Sequence, residues 1–352
     1  MSRAVIRQWP LPLDVGKQTI LDAALAAGVP YPHGCRTGEC GACKSRLLAG
    51  EVDMRAYDRT ALSDAERRDG LVLVCRAYPR SDVQVAWLGG ERDESLPIQR
   101  MTAEVTNIEN VTPDIRRIYA WPERPLRFAA GQFVRLGFAN LPTRPYSMAN
   151  RPDEHVLEFN VRLVPGGVAS RYIAEKLMPG ERIRLEGPFG LAHLRPDHDG
   201  PILAVAGGSG LAPIKSIIRT RLHAGSTRPI WLYVGARTEA DIYDEPALLD
   251  LANRHPNLRI EVVLSSATGG RRRTGPLDGA IDAEIGRQAG LQCHIAGPPV
   301  MVNAVAARLA DMGIPASSIH ADAFHGLTET PLQRAWLPPQ VTRLFRRAAT
   351  GR

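Results

Sequence analysis

The rhythm of apolar and polar positions changes twice along the chain, dividing it into three segments. Residues 1–90 end in the alternating stretch Val83-Gln84-Val85-Ala86-Trp87, the period of a half-buried strand. Upstream, Thr19-Ile20-Leu21-Asp22 has the form of a capping box and predicts a short helix over 20–27. Glu91 to Pro97 is charged and turn-rich, so 91–99 reads as an exposed linker. In residues 100–198, Leu157, Phe159, Val161 and Leu163 alternate with Glu158, Asn160 and Arg162, again as a half-buried strand. Stretches 131–138 and 182–185 look similar, with turn residues between, and an antiparallel β-barrel follows. Residues 200–326 switch to short apolar runs at 202–206, 230–234, 260–264 and 293–296, separated by helix-like stretches. That alternation predicts a doubly wound parallel sheet. The tail, 327–352, holds Pro331, Pro338 and Pro339 and reads as irregular. The chain is thus expected to be multidomain, α+β followed by α/β.

Composition adds bounds. At 352 residues the chain can hold two or three cored domains, and 44% hydrophobic with 23% charged residues is ordinary for a soluble globular protein. Met1 to Asp14 lacks the apolar core of a secretory signal, and no run of eighteen apolar residues occurs, so a cytoplasmic protein without a membrane partner is expected. The net charge of +7 is uneven: Arg271–Arg273 form one run, and Arg334, Arg343, Arg346, Arg347 and Arg352 lie in a tail without an acid after Thr330. No nucleic-acid module or interleaved aromatics accompany the charge, which suits an acidic protein partner instead. A monomer is expected.

Four of the five cysteines fall in the first segment. Cys35-x4-Cys40-x2-Cys43, followed by Cys75, has the spacing of a plant-type [2Fe–2S] site. Four thiolates must converge on one flat cluster, and Gly34, Gly38 and Gly41 suit a loop wrapped close around it. The competing reading is structural zinc, whose sites favour short cysteine hooks in pairs; here one hook supplies three ligands and Cys75 stands alone. A Rieske centre needs two histidine ligands, and His33 and His155 do not form that pattern.

Arg144-Pro145-Tyr146-Ser147, placed after a predicted strand, resembles the R-x-Y-S motif of the ferredoxin–NADP reductase superfamily. The resemblance implies FAD, with Arg144 on its pyrophosphate, Tyr146 against its ring and Ser147 near N5. Arg162 and the loop of Gly166, Gly167, Val168 and Ser170, which opens a helix, join the flavin-binding candidates; free N–H groups at a helix start favour phosphate. Gly207-Gly208-Ser209-Gly210-Leu211-Ala212-Pro213 follows an apolar strand and would let a dinucleotide pyrophosphate approach the backbone. Pro213 stands where the G-x-G-x-x-G pattern has its last glycine. Gly297 and Pro298 resemble the superfamily's C-G-P-x-x-M segment beside the nicotinamide, with Ala296 in place of its cysteine; Cys293 reads as a buried strand residue. Phe324, in Ala321-Asp322-Ala323-Phe324, would cover the flavin until nicotinamide displaces it, or simply pack. Glu239 and Asp241 would repel a 2′-phosphate and Arg237 would attract one, which favours NADH over NADPH.

The order ferredoxin, flavin, nicotinamide is similar to the reductase components of bacterial aromatic-ring-hydroxylating dioxygenases of the naphthalene, salicylate and terephthalate type. Phthalate-dioxygenase-type reductases place the ferredoxin domain last and use FMN. The resemblance implies an N-terminal β-grasp ferredoxin domain, an antiparallel FAD barrel and an NAD-binding domain. Its partner would be a Rieske oxygenase or an intermediate ferredoxin. Tyr146, Ser147 and Phe324 are the residues expected at the reacting centre, and no general base is required. Reductases of diiron hydroxylases and of deoxysugar dehydrases share the domain order and stay open, and a zinc-stabilised binding module without redox chemistry is the reading from another class.

Overall fold

The computed structural model describes residues 2–34, 36–38, 41–57, 61–88, 96–266 and 271–324. Cys35, Cys40, most of the expected linker and the Arg-rich tail lie outside the described residues.

In the first segment, strands Arg3–Ile6 and Val83–Trp87 run parallel at the centre of a five-stranded sheet, flanked by Leu13–Asp14, Lys44–Ala49 and Leu71–Leu73. Their inward positions, Ala4, Ile6, Val83 and Val85, bury against Ile20, Leu21 and Ala24 of the helix Ile20–Ala26, the β-grasp arrangement. The capping box is half made. The Asp22 N–H donates to the Thr19 hydroxyl at 3.0 Å, while the Asp22 carboxylate accepts from that hydroxyl and from Arg36 rather than from the Thr19 backbone.

The second segment is a six-stranded antiparallel sheet in the order Arg144–Ser147, Phe133–Gly137, Arg182–Phe189, Gln99–Asn110, Ile115–Pro122, Leu157–Arg162. A bridge between Met148 and Phe159 joins its two ends and closes the barrel around Leu136, Phe138, Met148, Phe159 and Leu185. One detail adds to the sequence reading and one departs from it. Arg144–Ser147, placed after a predicted strand, is itself a strand, paired with Phe133–Gly137. Leu157–Arg162 is not half-exposed: Glu158 and Asn160 are buried, because their side of the barrel is covered by the third segment.

That segment is a parallel sheet in the order Arg273–Thr274, Leu258–Leu264, Ile230–Ala236, Ile202–Gly207, Gln292–Gly297, Ile319–Ala323. Helices Leu211–His223, Glu245–Arg254 and Pro299–Asp311 supply the crossovers. The strand order reverses between Ile202–Gly207 and Gln292–Gly297, and such a switch point is where open α/β sheets bind ligands. The edge strand Ile319–Ala323 has no clear period in the sequence. It pairs with Gln292–Gly297 and carries Asp322 and Phe324 to the switch point. Among the described residues, no helix is long and apolar enough to cross a membrane.

Candidate active site

A cavity of about 310 Å³ lies between the barrel and the carboxyl end of the parallel sheet. Its barrel wall carries Arg144, Pro145, Tyr146 and Ser147. Strand alternation turns Ser147 inward, at 7% exposure, and among the described residues its hydroxyl has no hydrogen-bond partner. The Arg144 guanidinium donates only to the Thr143 carbonyl, at 3.1 Å, and no described carboxylate meets it. A half-buried cation without an anion is incomplete chemistry, and a phosphate completes it. Tyr146 stands edge-on to Phe138 at 6.1 Å, and burial raises its hydroxyl pKa, so the ring stays neutral.

The next wall is the loop leading into helix Val168–Glu175. Gly166 takes φ +76°, and Gly167 caps the helix without a side-chain hydrogen bond, leaving the first-turn N–H groups for an acceptor. The Ser170 hydroxyl accepts from the Val164 N–H at 2.9 Å and fixes the loop. Gly167, Val168, Ser170 and Arg162 line the cavity beside Arg144. Cationic side chain and helix start thus converge, as a flavin diphosphate requires.

From the parallel sheet come Gly207, Ser209, Pro298 and Phe324. Gly208 and Gly210 complete the turn, and Gly208 takes φ +54°. At Gly297, φ is +144° and a Cβ would stand 2.7 Å from the Gly207 carbonyl oxygen, so neither strand end tolerates a side chain there. The Phe324 N–H donates to the Gly297 carbonyl at 2.9 Å, which holds its ring at the cavity. Asp322 lines the same cavity, and burial pushes its carboxyl up to about 7. Cys293 is fully buried and its thiol is pushed up to about 12, an inert strand residue.

Gly166, Gly208, Gly210 and Gly297 support these loops without forming the cavity wall. Arg237 stands apart. Its guanidinium pairs with Asp114, at 3.0 Å, and with Asp241, and Asp114 also holds Arg162 at 3.1 Å. Glu239 is occupied by Arg272 at 3.0 Å. Behind the site lies a group the sequence reading missed. Lys215, in the helix after the glycine turn, contacts Glu158 at 2.6 Å and Asp244 at 2.7 Å. Arg117 joins the same two carboxylates, and Tyr243 donates to the Gly208 carbonyl at 2.9 Å. Buried polar residues on the strand Leu157–Arg162 were the available signal, but only with the neighbouring domain in view.

At the other end, Cys43 and Cys75 are buried. They leave adjacent strand ends, with the Val74 N–H donating to the Cys43 carbonyl at 3.3 Å. Arg36, Gly38 and Gly41 all take left-handed φ, so this loop is bent as a wrapped ligand loop must be. Two buried cysteines at adjacent strand ends beside such a loop fit a cluster. The barrel grips the loop just before Cys35: Arg135 donates to the Gly34 carbonyl, and its guanidinium lies 5.2 Å over Phe189. His33 meets Phe189 edge-on at 5.2 Å, and Phe189 meets Phe133 at 5.7 Å. Phe133 reaches the first cavity and also a second, of about 330 Å³, shared with Gly41 and Ala42.

Comparison with known proteins adds three matched family descriptions: a 2Fe-2S iron-sulfur cluster binding domain over residues 9–80, an oxidoreductase FAD-binding domain over 102–194 and an oxidoreductase NAD-binding domain over 204–307. The chain is 38% identical over 320 residues to the ferredoxin–NAD(P)+ reductase component of the naphthalene 1,2-dioxygenase/salicylate 5-hydroxylase systems of a Ralstonia species, covering 90% of this chain and 97% of that one. It is 36% identical over 295 residues to the reductase component of phenol 2-monooxygenase from a Pseudomonas species, covering 82% and 84%. Among solved structures, a cytochrome P450 reductase from Amycolatopsis superposes with a TM-score of 0.76 at 35% identity, covering 92% of this chain and 99% of that one.

Proposed function

The chain belongs to the ferredoxin–NAD(P)+ reductase components of bacterial oxygenase systems, and on that footing we propose that it draws on NADH, as a single cytoplasmic chain, to feed an aromatic-ring-hydroxylating oxygenase, directly or through a separate ferredoxin. The observation that carries this reading is the convergence of Arg144, Ser147, the helix start at Gly167 and Phe324 on one cavity, with a cation and a hydroxyl left to be satisfied. Bound FAD supplies the conversion of a two-electron hydride donor into single electrons that a [2Fe–2S] centre accepts. The protein supplies position and charge. Arg144 and the first-turn N–H groups would hold the flavin diphosphate, Tyr146 would support its ring, and Ser147 would donate a hydrogen bond near N5. Phe324 would cover the ring until nicotinamide takes its place. Gly207, Gly208, Gly210 and Gly297 bring backbone close to the nicotinamide nucleotide, with Ser209 and Pro298 beside it. Cys35, Cys40, Cys43 and Cys75 ligate the cluster. NADH is favoured because Arg237 is held by Asp114 and Asp241 and Arg162 by Asp114, so neither guanidinium is open to a 2′-phosphate. A second reading, service to a phenol hydroxylase, draws on the similarity to the phenol 2-monooxygenase component.

The test is the visible spectrum of the purified protein, followed by NADH without oxygen. A flavin band with broad iron–sulfur absorption at longer wavelength, both bleaching on NADH and more slowly on NADPH, is the expected result. A protein that stays colourless after reconstitution with FAD, iron and sulfide overturns the reading.

A further inference from the structure

Among the described residues of segment 33–43, some face the barrel side and Gly38 does not. His33 and Gly34 meet Phe189 and Arg135, and Gly41 and Ala42 face the inter-domain cavity. Gly38 lies on another side, under Tyr57 and Arg76, where an added Cβ would stand 2.9 Å from Tyr57 Cβ and 2.8 Å from Arg76 Cγ. That side is cationic. Arg76 Nε donates to the Ala56 carbonyl at 2.9 Å, Arg67 donates to the Tyr57 hydroxyl at 3.3 Å, and the Arg55 guanidinium sits 5.1 Å over the Tyr78 ring. Arg55 and Arg67 are exposed, and Arg76 is half-buried. Carbonyls and rings hold these guanidiniums in place without cancelling their charge, and among the described residues none of the three pairs with a carboxylate. Three other cations of the segment are neutralised, Arg36 by Asp22, Lys44 by Glu66 and Arg80 by Asp53, whereas Arg46 and Arg68 donate to the Asp69 and Asp64 carbonyls.

We propose that Arg55, Arg67 and Arg76, with Tyr57 and Tyr78, form the surface on which the electron-accepting protein docks, and that this protein presents an acidic face around its own redox centre. The proposal rests on the reductase reading and adds to it the exit side and the sign of the partner. Electrons would arrive from the barrel side, past His33 and Gly34, and leave beside Tyr57 and Arg76. Clustered charge of one sign raises association rates by about ten- to a thousandfold and is lost as salt rises.

The test uses the full-length holoprotein with two haem proteins of opposite charge as acceptors, acidic cytochrome b5 and basic cytochrome c. For Arg55→Gln/Arg67→Gln/Arg76→Gln, the second-order rate of cytochrome b5 reduction at low salt should fall about tenfold or more. Cytochrome c reduction should hold or rise, and bleaching of the variant's own flavin and iron–sulfur bands by NADH should be unchanged. Arg55→Lys/Arg67→Lys/Arg76→Lys should keep most of the cytochrome b5 rate. Intact bleaching with cytochrome b5 rates equal in all three proteins, or with rates that do not decline with salt, overturns the docking surface. Absence of bleaching in the parent overturns the reductase reading instead.

Discussion

Asp244 offers the sharpest test of how the barrel and the parallel sheet are joined. Its carboxylate is 8% exposed and meets Lys215 at 2.7 Å and Arg117, while Glu158, at 9%, meets the same two cations. Two cations and two carboxylates balance in a space nearly closed to water, with Glu109 touching Arg117 from the rim at 3.2 Å. Asp244 holds φ +60°, a conformation asparagine tolerates, so Asp244→Asn removes the charge and leaves the backbone alone. Lys215 and Arg117 would then share Glu158, leaving one buried cation in excess. Breaking one partner out of a buried pair costs about 3–5 kcal/mol. Urea unfolding of the holoprotein, followed by tryptophan fluorescence, should show a loss of about that size. The KM for NADH should rise as well, because neighbouring Tyr243 holds the Gly208 carbonyl. Lys215→Met in the same chain restores charge parity, so the double variant should recover much of the loss. A single variant within about 0.5 kcal/mol of the parent, a size typical of inconsequential surface changes, or a double variant that is merely additive, would refute the argument.

Arg144→Ala removes a charge-assisted contact of about 1.5–3 kcal/mol, so flavin affinity should fall about ten- to a hundredfold; full flavin retention through dialysis would count against the assigned role. Asp114→Asn releases Arg162 and leaves Arg237 with Asp241 alone, and the NADPH-to-NADH ratio of kcat/KM should rise about tenfold (about 1.4 kcal/mol), whereas an unchanged ratio would place the 2′-position elsewhere. For Asp322, burial raises the folded pKa from 3.8 to about 7, so the folded state keeps a proton that the unfolded state has released. The stability it contributes is therefore complete below pH 4 and lost as pH rises through 7, and Asp322→Asn should flatten that part of a Tm-against-pH curve. Arg135→Leu should leave flavin bleaching by NADH intact and slow bleaching of the iron–sulfur band in stopped flow; equal rates would mean the Gly34 contact is incidental.

What could be read from the chain divides along a physical line. Chemistry that needs neighbours in sequence was legible: a loop that must wrap a cluster brings its own glycines, and Gly38 and Gly41 do take left-handed φ. The glycine loop proposed to cradle a diphosphate, Val164-Pro165-Gly166-Gly167, does precede a helix, and Gly207-Gly208-Ser209-Gly210 does form the turn at the switch point. Strand periods located most of the barrel and the sheet, because alternate burial is imposed by the pleat.

Alternation fails where a strand is covered on both sides, and the failure is informative. Glu158 and Asn160 sit at positions that read as solvent-facing, yet they are buried against the helix that follows the glycine turn and the loop at Tyr243. A barrel standing alone would expose them; only a second domain makes their polarity useful, by giving Glu158 the cations Lys215 and Arg117. The same reasoning applies to Ile319–Ala323, too polar at His320 and Asp322 for an ordinary buried strand because one end serves the cavity. Arg135 is a third case: an ordinary polar position of a barrel strand that reaches the backbone beside Cys35. These residues carry the joints between domains, and a joint is a property of two distant segments at once. Reductases that keep one flavin-to-cluster path while serving different oxygenases should therefore preserve charge and shape at Glu158, Lys215, Asp244 and Arg135 together, and vary freely at positions such as Arg55 and Arg67, on the proposed docking surface.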